Sequence, residues 1–310
     1  MADGPDFQAE SAASARGTGA SSYENDSKLS TLTLAQALRE AAARGLDRLD
    51  AQILLLHALG RPGHARAWLL AHDTDPLPDG AAATFAALCA RRAAGEPVAY
   101  LLGEKEFRGL TLAVDARVLV PRPDTETLVD WALACLAGRP SPAVLDLGTG
   151  SGAIALALQQ ARPDAQVDAV DASADALAVA RANAERLALP VRFREADWLA
   201  GAATARPEGY ALIASNPPYI AEGDAHLPAL RHEPAGALVS GADGLRDIRR
   251  IVAEAPAHLV EGGWLLLEHG HDQAPAVRAL LAERGFTDVQ SRDDLAGIAR
   301  CSGGVWRTVK

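Results

Sequence analysis

A chain of 310 residues, 49% hydrophobic and 23% charged, has material for two domains, one large enough for a substantial core. Its formal charge of −10 disfavours nonspecific nucleic-acid binding, which depends on Lys and Arg neutralising phosphates. Cys89, Cys135 and Cys301 are too scattered for a disulfide or zinc framework and point to a reducing compartment, and no apolar run nears the roughly 20 residues of a membrane span.

Residues 1–30 are rich in Ala, Ser, Gly and acids, with little to bury, and read as a disordered tail or a start-site artefact. They lack a basic segment followed by an apolar one, so no secretory signal is expected and a cytoplasmic location is. Residues 31–104 follow a helical pattern. Thr33 with Gln36 forms a capping box before Leu34, Ala37, Leu38 and Ala41. Ala51–Leu56 predicts a second helix stopped by Gly60 and Pro62, and Arg66–Ala71 and Ala81–Arg92 predict two more. The result is a small helical bundle. Glu106 to Val120 alternates as a hairpin does, which makes 105–121 a hairpin linker to a larger domain over 122–310. Asp124 or Thr125 is expected to cap a helix through Trp131, with Gly138 beyond its end.

The larger domain opens with Ala143-Val-Leu-Asp146, a buried strand, running into Gly148-Thr149-Gly150-Ser151-Gly152 and a helix from Ala153. Glycines there permit a tight turn and close approach of backbone to a ligand, and the helix start offers free N–H groups. Asp171 follows the next strand, Gln166–Val170, about 20 residues on, where a carboxylate binds ribose hydroxyls. Alone, this loop indicates an adenosine-type cofactor and leaves dinucleotides open, since Gly148, Gly150 and Ala153 also satisfy that fingerprint. Four apolar runs end at Asp146, Asp171, Asp197 and Asn216 with helical patterns between, which predicts a parallel sheet with all four residues facing one crevice. A further strand, Gly263–Glu268, precedes two more around Asp288–Ser291 and Gly304–Thr308, whose short connection predicts an antiparallel edge.

The fourth run, Tyr210–Ser215, leads into Asn216-Pro217-Pro218-Tyr219. The prolines have no N–H for a ladder and end the strand there. The Asn216 side chain and the Pro217 carbonyl can then accept both hydrogens of one NH2 group, while the Tyr219 ring packs on the plane that carries it. Such a clip selects an amide or an exocyclic base amine. Glycine loop and clip together resemble the S-adenosylmethionine-dependent amino-methyltransferases.

Glu96-Pro-Val-Ala-Tyr100-Leu-Leu-Gly-Glu-Lys-Glu-Phe107, Val120-Pro-Arg122-Pro-Asp-Thr125-Glu126 and Leu266-Leu-Glu268-His-Gly270 narrow this. With Asn216–Tyr219 they resemble the release-factor glutamine N5-methyltransferase family, from about Leu32 to the C-terminus. The resemblance implies a Rossmann-like class I α/β fold, a mostly parallel seven-stranded sheet with an antiparallel edge, beside an N-terminal helical bundle that recognises substrate. It implies transfer of a methyl group from S-adenosylmethionine, leaving S-adenosylhomocysteine, to the glutamine of a Gly-Gly-Gln loop in class 1 release factors. Asn216, Pro217 and Tyr219 would be catalytic, Asn216 to Tyr219 would bind substrate, and Gly148, Thr149, Gly150, Ser151, Gly152, Asp171, Trp198 and Asn216 would hold the cofactor. Asp146 is read either near the methionine amine or as a loop-ordering carboxylate, and Glu126 either near the cofactor or as part of a helix cap.

Other residues have plainer readings. His269 and His271 beside Glu268 lack zinc spacing, and no metal is expected. His232-Glu233-Pro234 reads as a loop over the substrate, and Arg246, Arg249 and Arg250 as a solvated helix face. N6-adenine methylation of DNA or RNA is the alternative, but it calls for a base-recognition insert and a basic surface that the chain does not display. No direct nucleic-acid or membrane partner is expected.

Overall fold

The computed structural model describes Met1, residues 32–200 and residues 206–308, so the tail read as disordered lies, Met1 apart, outside the described residues. Five helices come first: α1 (Leu34–Ala43), α2 (Arg48–Ala58), α3 (Arg66–Ala71), α4 (Asp79–Ala93) and α5 (Val98–Leu102). The Thr33 hydroxyl accepts from Gln36 N–H at 3.2 Å and the Gln36 side chain accepts from Thr33 N–H at 2.7 Å, closing the capping box of α1. Asp47 starts α2 by accepting from Leu49 N–H at 2.7 Å. Because α2 packs against α1, α3, α4 and α5, its consecutive Leu54, Leu55 and Leu56 are all sealed from solvent. They form a core of their own with Leu34, Phe85 and Cys89.

The hairpin is shorter and earlier than the alternation suggests: β1 (Glu104–Phe107) pairs with β2 (Leu110–Ala113). Arg108 and Gly109, at φ 48° and 77°, form the two-residue turn whose twist suits a hairpin. Beyond Ala113 the chain leaves the ladder because Asp115 makes its own turn, accepting from Arg117 N–H at 3.0 Å through its side chain and from Val118 N–H at 3.1 Å through its carbonyl.

The second core is a seven-stranded sheet in the order β5-β4-β3-β6-β7-β9-β8. Its strands are β3 (Ala143–Leu147), β4 (Gln166–Asp171), β5 (Arg192–Glu195), β6 (Tyr210–Ser215), β7 (Leu259–Glu268), β8 (Thr287–Asp293) and β9 (Ala299–Trp306). The first five in that order run parallel, and β9 lies antiparallel between β7 and β8, which is the expected antiparallel edge. Helices α6 (Thr125–Cys135), α7 (Ala153–Ala161) and α8 (Ala174–Leu187) cover one face, and α9 (Arg246–Glu254) and α10 (Ala274–Arg284) the other. Burial on both faces explains why β3, β6 and the end of β7 are almost wholly apolar.

Register sets the site. Leu147 stands opposite Val170 on β4 and Ser215 on β6, and Ser215 stands opposite Leu267 on β7. The next residue of each strand, Gly148, Asp171, Asn216 and Glu268, therefore arrives at the same carboxyl-end edge. On β9, Cys301 is the partner of Glu268 and is fully buried. No helix among the described residues is long and apolar enough to cross a membrane.

Candidate active site

Asp146 is the one polar member of β3, and it is fully buried. Its Oδ2 accepts from the Thr149 hydroxyl at 2.6 Å and from Ala155 N–H at 3.2 Å, so one oxygen ties the glycine loop to the start of α7. Oδ1 has no partner. Burial pushes the carboxyl up to about 7, against the pull of those two donors. The loop-ordering reading of Asp146 thus describes one oxygen, and the other has no partner.

Gly148, Gly150 and Gly152 take φ of 68°, 56° and 87°, left-handed values that favour glycine. A Cβ on Gly148 would sit 3.2 Å from the Trp198 ring, so indole and backbone are in direct apposition. Trp198 reaches that place from its own left-handed backbone at φ 53°, an uncommon conformation for a bulky residue, and its Nε1–H donates to Asp247 at 3.3 Å. Asp171 accepts from Gly150 N–H and Ser173 N–H, each at 2.9 Å, one on each carboxylate oxygen. Each oxygen keeps a further lone pair.

Gly148, Gly150, Asp171, Trp198, Asn216 and Pro218 line one cavity of about 440 Å3, together with Arg117, Pro234, Arg246 and Asp247. The remaining predicted site residues stand outside that lining. Thr149 and Ser151 are buried, the Thr149 hydroxyl facing Asp146 and the Ser151 carbonyl accepting from Asn183 Nδ2 at 2.9 Å. Gly152 packs on Leu156 at the start of α7. Pro217 is buried, and Tyr219 lies against the α9–α10 core with its carbonyl accepting from Gln273 Nε2 at 3.0 Å. Asp197 borders the cavity while its carboxylate accepts from Arg250 at 2.8 Å.

Neither Asp124 nor Thr125 caps α6 through its side chain. Thr125 is buried, and its hydroxyl accepts instead from Asn216 Nδ2 at 3.2 Å, while Asp124 faces Arg300 at 3.6 Å. Glu126 sits in the first turn of α6. Asn216 Oδ1 is buried with no partner, so the amide's donor side is held while its acceptor has no hydrogen bond. Beside it lies Glu268, fully buried, its carboxyl pushed up to about 7 by burial. Neither Glu268 oxygen completes an aligned hydrogen bond, yet the Thr125 and Asn216 side chains lie close enough to oppose that rise. Glu268 in turn raises the Tyr219 phenol, already lifted by burial.

Among the residues with plainer readings, Glu233 is buried, accepting from Val120 N–H at 3.2 Å and pairing with Arg122. His232 Nε2 donates to the Ala94 carbonyl at 3.0 Å, joining this loop to the helical bundle. Arg249 pairs with Asp243 and Arg250 with Glu254, but Arg246 borders the cavity and pairs with Asp247. His269 Nδ1–H donates to the Gly270 carbonyl at 2.9 Å, which leaves Nε2 to accept from Ser302 at 2.7 Å, so both nitrogens are committed. No group of three or more potential metal ligands is gathered among the described residues. Sequence reasoning missed Thr125 and Glu268 as site residues, although Glu268 ends a strand at the same edge as Asn216, the signal that marked the others.

Two family matches cover much of this architecture: the PrmC N-terminal domain over residues 32–103 and the methyltransferase small domain over residues 127–237. A Bordetella pertussis (strain Tohama I) protein named release factor glutamine methyltransferase is 55% identical over 262 residues, covering 84% of this chain and 95% of that one. Its namesake in Burkholderia pseudomallei (strain K96243) is 51% identical over 290 residues, covering 90% and 98%. Among solved structures, a human methyltransferase 10 domain containing protein aligns with a TM-score of 0.51 at 16% identity, over 65% of this chain and 90% of that chain, a likeness of fold alone. Identity of this extent over most of both chains places this protein in the release factor glutamine methyltransferase family.

Proposed function

We propose that this enzyme transfers the methyl group of S-adenosylmethionine to the side-chain amide nitrogen of the glutamine in the Gly-Gly-Gln loop of class 1 peptide chain release factors. One observation carries the reading: Asn216, whose buried Oδ1 has no partner, lines the cavity where Gly148, Gly150, Asp171 and Trp198 converge. The names of the relatives support the same substrate. Nothing in the site favours the adenine-methylating alternative.

The residues suit the cofactor. Gly148 and Gly150 bring bare backbone to the cavity, Asp171 keeps lone pairs for ribose hydroxyls, and Trp198 offers an apolar face for the adenine. Asp146 Oδ1, an acceptor without a donor, fits the ammonium of the methionine end. Thr149, Ser151 and Gly152 act one layer out by holding the loop's shape. Bound there, S-adenosylmethionine supplies a methyl already activated on a sulfonium.

What the chain must supply is alignment. A glutamine amide is a poor nucleophile because its lone pair is delocalised into the carbonyl. Asn216 Oδ1 and the Pro217 carbonyl accept its two N–H bonds and so favour positive charge developing on nitrogen. Pro218 completes the wall of the slot, and Tyr219 backs it from the α9–α10 core. Proton loss follows transfer, so no strong base is required. The bundle over residues 31–104 is assigned to recognition of the release factor, residues 105–121 to the connection and residues 122–310 to catalysis, with the His232–Ala94 bond setting bundle beside site. A cytoplasmic location accords with this substrate.

The test is methyl transfer from labelled S-adenosylmethionine to unmethylated release factor, with a Gly-Gly-Ala variant of the factor and duplex DNA alongside. Label is expected on the wild-type factor alone. Asn216→Ala should reduce kcat by about 100-fold or more while cofactor binding persists. Label on DNA, or none on the factor, would overturn the reading.

A further inference from the structure

Glu268 and Thr125 have no part in the scheme above, yet both are buried polar groups beside the Asn216 amide. Glu268 arrives by register: Ser215 and Leu267 are partners, so Asn216 and Glu268 are the next residues of adjacent strands. Thr125 arrives from α6, across 91 residues of chain. Glu268 is 1% exposed and Thr125 4%, so water is a poor substitute partner for either.

We propose that Glu268, acting with Thr125, is a positioning pair that fixes which way the Asn216 amide faces. Hydrogen-bond bookkeeping makes the case. An ionised carboxylate accepts and never donates, whereas a threonine hydroxyl does one of each. Thr125 Oγ1 accepts from Asn216 Nδ2, so its own hydrogen is free for Glu268. The second Nδ2 hydrogen has the same acceptor at hand. With one Nδ2 hydrogen on Thr125 and the other drawn towards Glu268, only Oδ1 is left without a partner, as an acceptor for the substrate NH2. Turned over, the amide would put Oδ1 against the carboxylate and aim its own NH2 at the substrate NH2. Two buried repulsions oppose that state.

The ionised form of Glu268 is the one that does this, because a protonated carboxyl must spend a donor of its own. Burial holds this carboxyl up at about 7, with Asp124 raising it further and Arg300, Thr125 and Asn216 opposing. Tyr219 and Cys301 face it from the remaining sides, both kept neutral by burial. The kcat profile should therefore climb as pH rises through the Glu268 pKa.

The proposal rests on the methyl-transfer reading, and two kinds of measurement separate the two. In steady-state assays with release factor, Glu268→Gln and Thr125→Val should each lower kcat about tenfold. KM for the factor and the cofactor Kd should stay within about twofold, since neither residue borders the cavity. Thr125→Ser, which keeps the hydroxyl, should restore kcat, and Glu268→Gln should lose the alkaline climb. Wild-type kcat in Glu268→Gln and Thr125→Val, or no rescue by serine, would overturn the pair. The second measurement needs no substrate: the side-chain NH2 resonance of Asn216, assigned by its loss in Asn216→Ala, should titrate with Glu268 and stop doing so in Glu268→Gln. An NH2 signal indifferent to pH and to both substitutions overturns the proposal even if the enzyme labels no release factor, a result that would sink only the methyl-transfer reading.

Discussion

Asp146, one residue inside the end of β3, and Glu268, the last of β7, lie on either side of β6, and burial lifts both carboxyls to about 7. An acid whose folded pKa lies above its unfolded value near ~4 holds extra protons in the folded state between those limits. Stability from these two groups is thus full below about pH 4, falls as pH rises to about 7 and is constant beyond. His258 and His269, lowered by burial, act in the opposite sense over part of that range. The clean observable is therefore a difference. In urea melts at pH 5 and pH 8, Asp146→Asn should gain stability relative to wild type more at pH 8 than at pH 5. An equal gain at both would show that the carboxyl titrates normally. Asp171 and Asn216 were legible in advance, because a parallel sheet brings successive strand ends to one edge and each ends an apolar run; Asp146, expected at the same crevice, lies one residue inside the end of β3 and outside the cavity's lining. The role of Thr125 was not. A threonine before a helical pattern reads as a cap, and only the folded chain shows its hydroxyl committed to Asn216 instead.

The antiparallel edge supports the site without touching the cavity. β9 lies directly along β7, which ends in Glu268, with Gly303 opposite Leu266 and Gly304 opposite Leu265. A Cβ on Gly303 would fall 2.5 Å from the Leu265 carbonyl oxygen and 2.5 Å from Leu266 Cδ2, so backbone would have to move. Gly303→Ala should destabilise by about 1–3 kcal/mol in urea titration. Gly80→Ala, in α4 with nothing near its would-be Cβ, should instead be neutral or stabilising by up to ~1 kcal/mol. Equal effects would remove the steric argument. Both edge strands were readable from the sequence, and so were the first four bundle helices, whose stops are local; α5, a single short turn-and-a-half between Pro97 and Gly103, was not. The hairpin was misplaced. Alternation continued past Ala113, but Asp115 folded the backbone into a turn of its own, and a local side-chain acceptor outcompeted a ladder.

At the scale of the whole molecule the described residues form three apolar cores, one among the bundle helices and one on each face of the sheet, with bundle and sheet bridged by the hairpin and by the His232–Ala94 bond. Cys89 lies in the bundle core and Cys301 in a core of the sheet, and burial raises both thiols. Cys135 is only half-buried on α6, with its thiol pushed up to about 11. A thiol-specific dye should therefore modify Cys135 first and reach the other two only when their cores open. Thr33→Ala, which removes the capping box of α1, should hasten labelling of Cys89, and Gly303→Ala should hasten that of Cys301. Rates that always rise together would mean that the molecule opens as one unit. Separate rates would make the two sulfurs a pair of clocks, each timing the breathing of its own half, with no probe added to the chain.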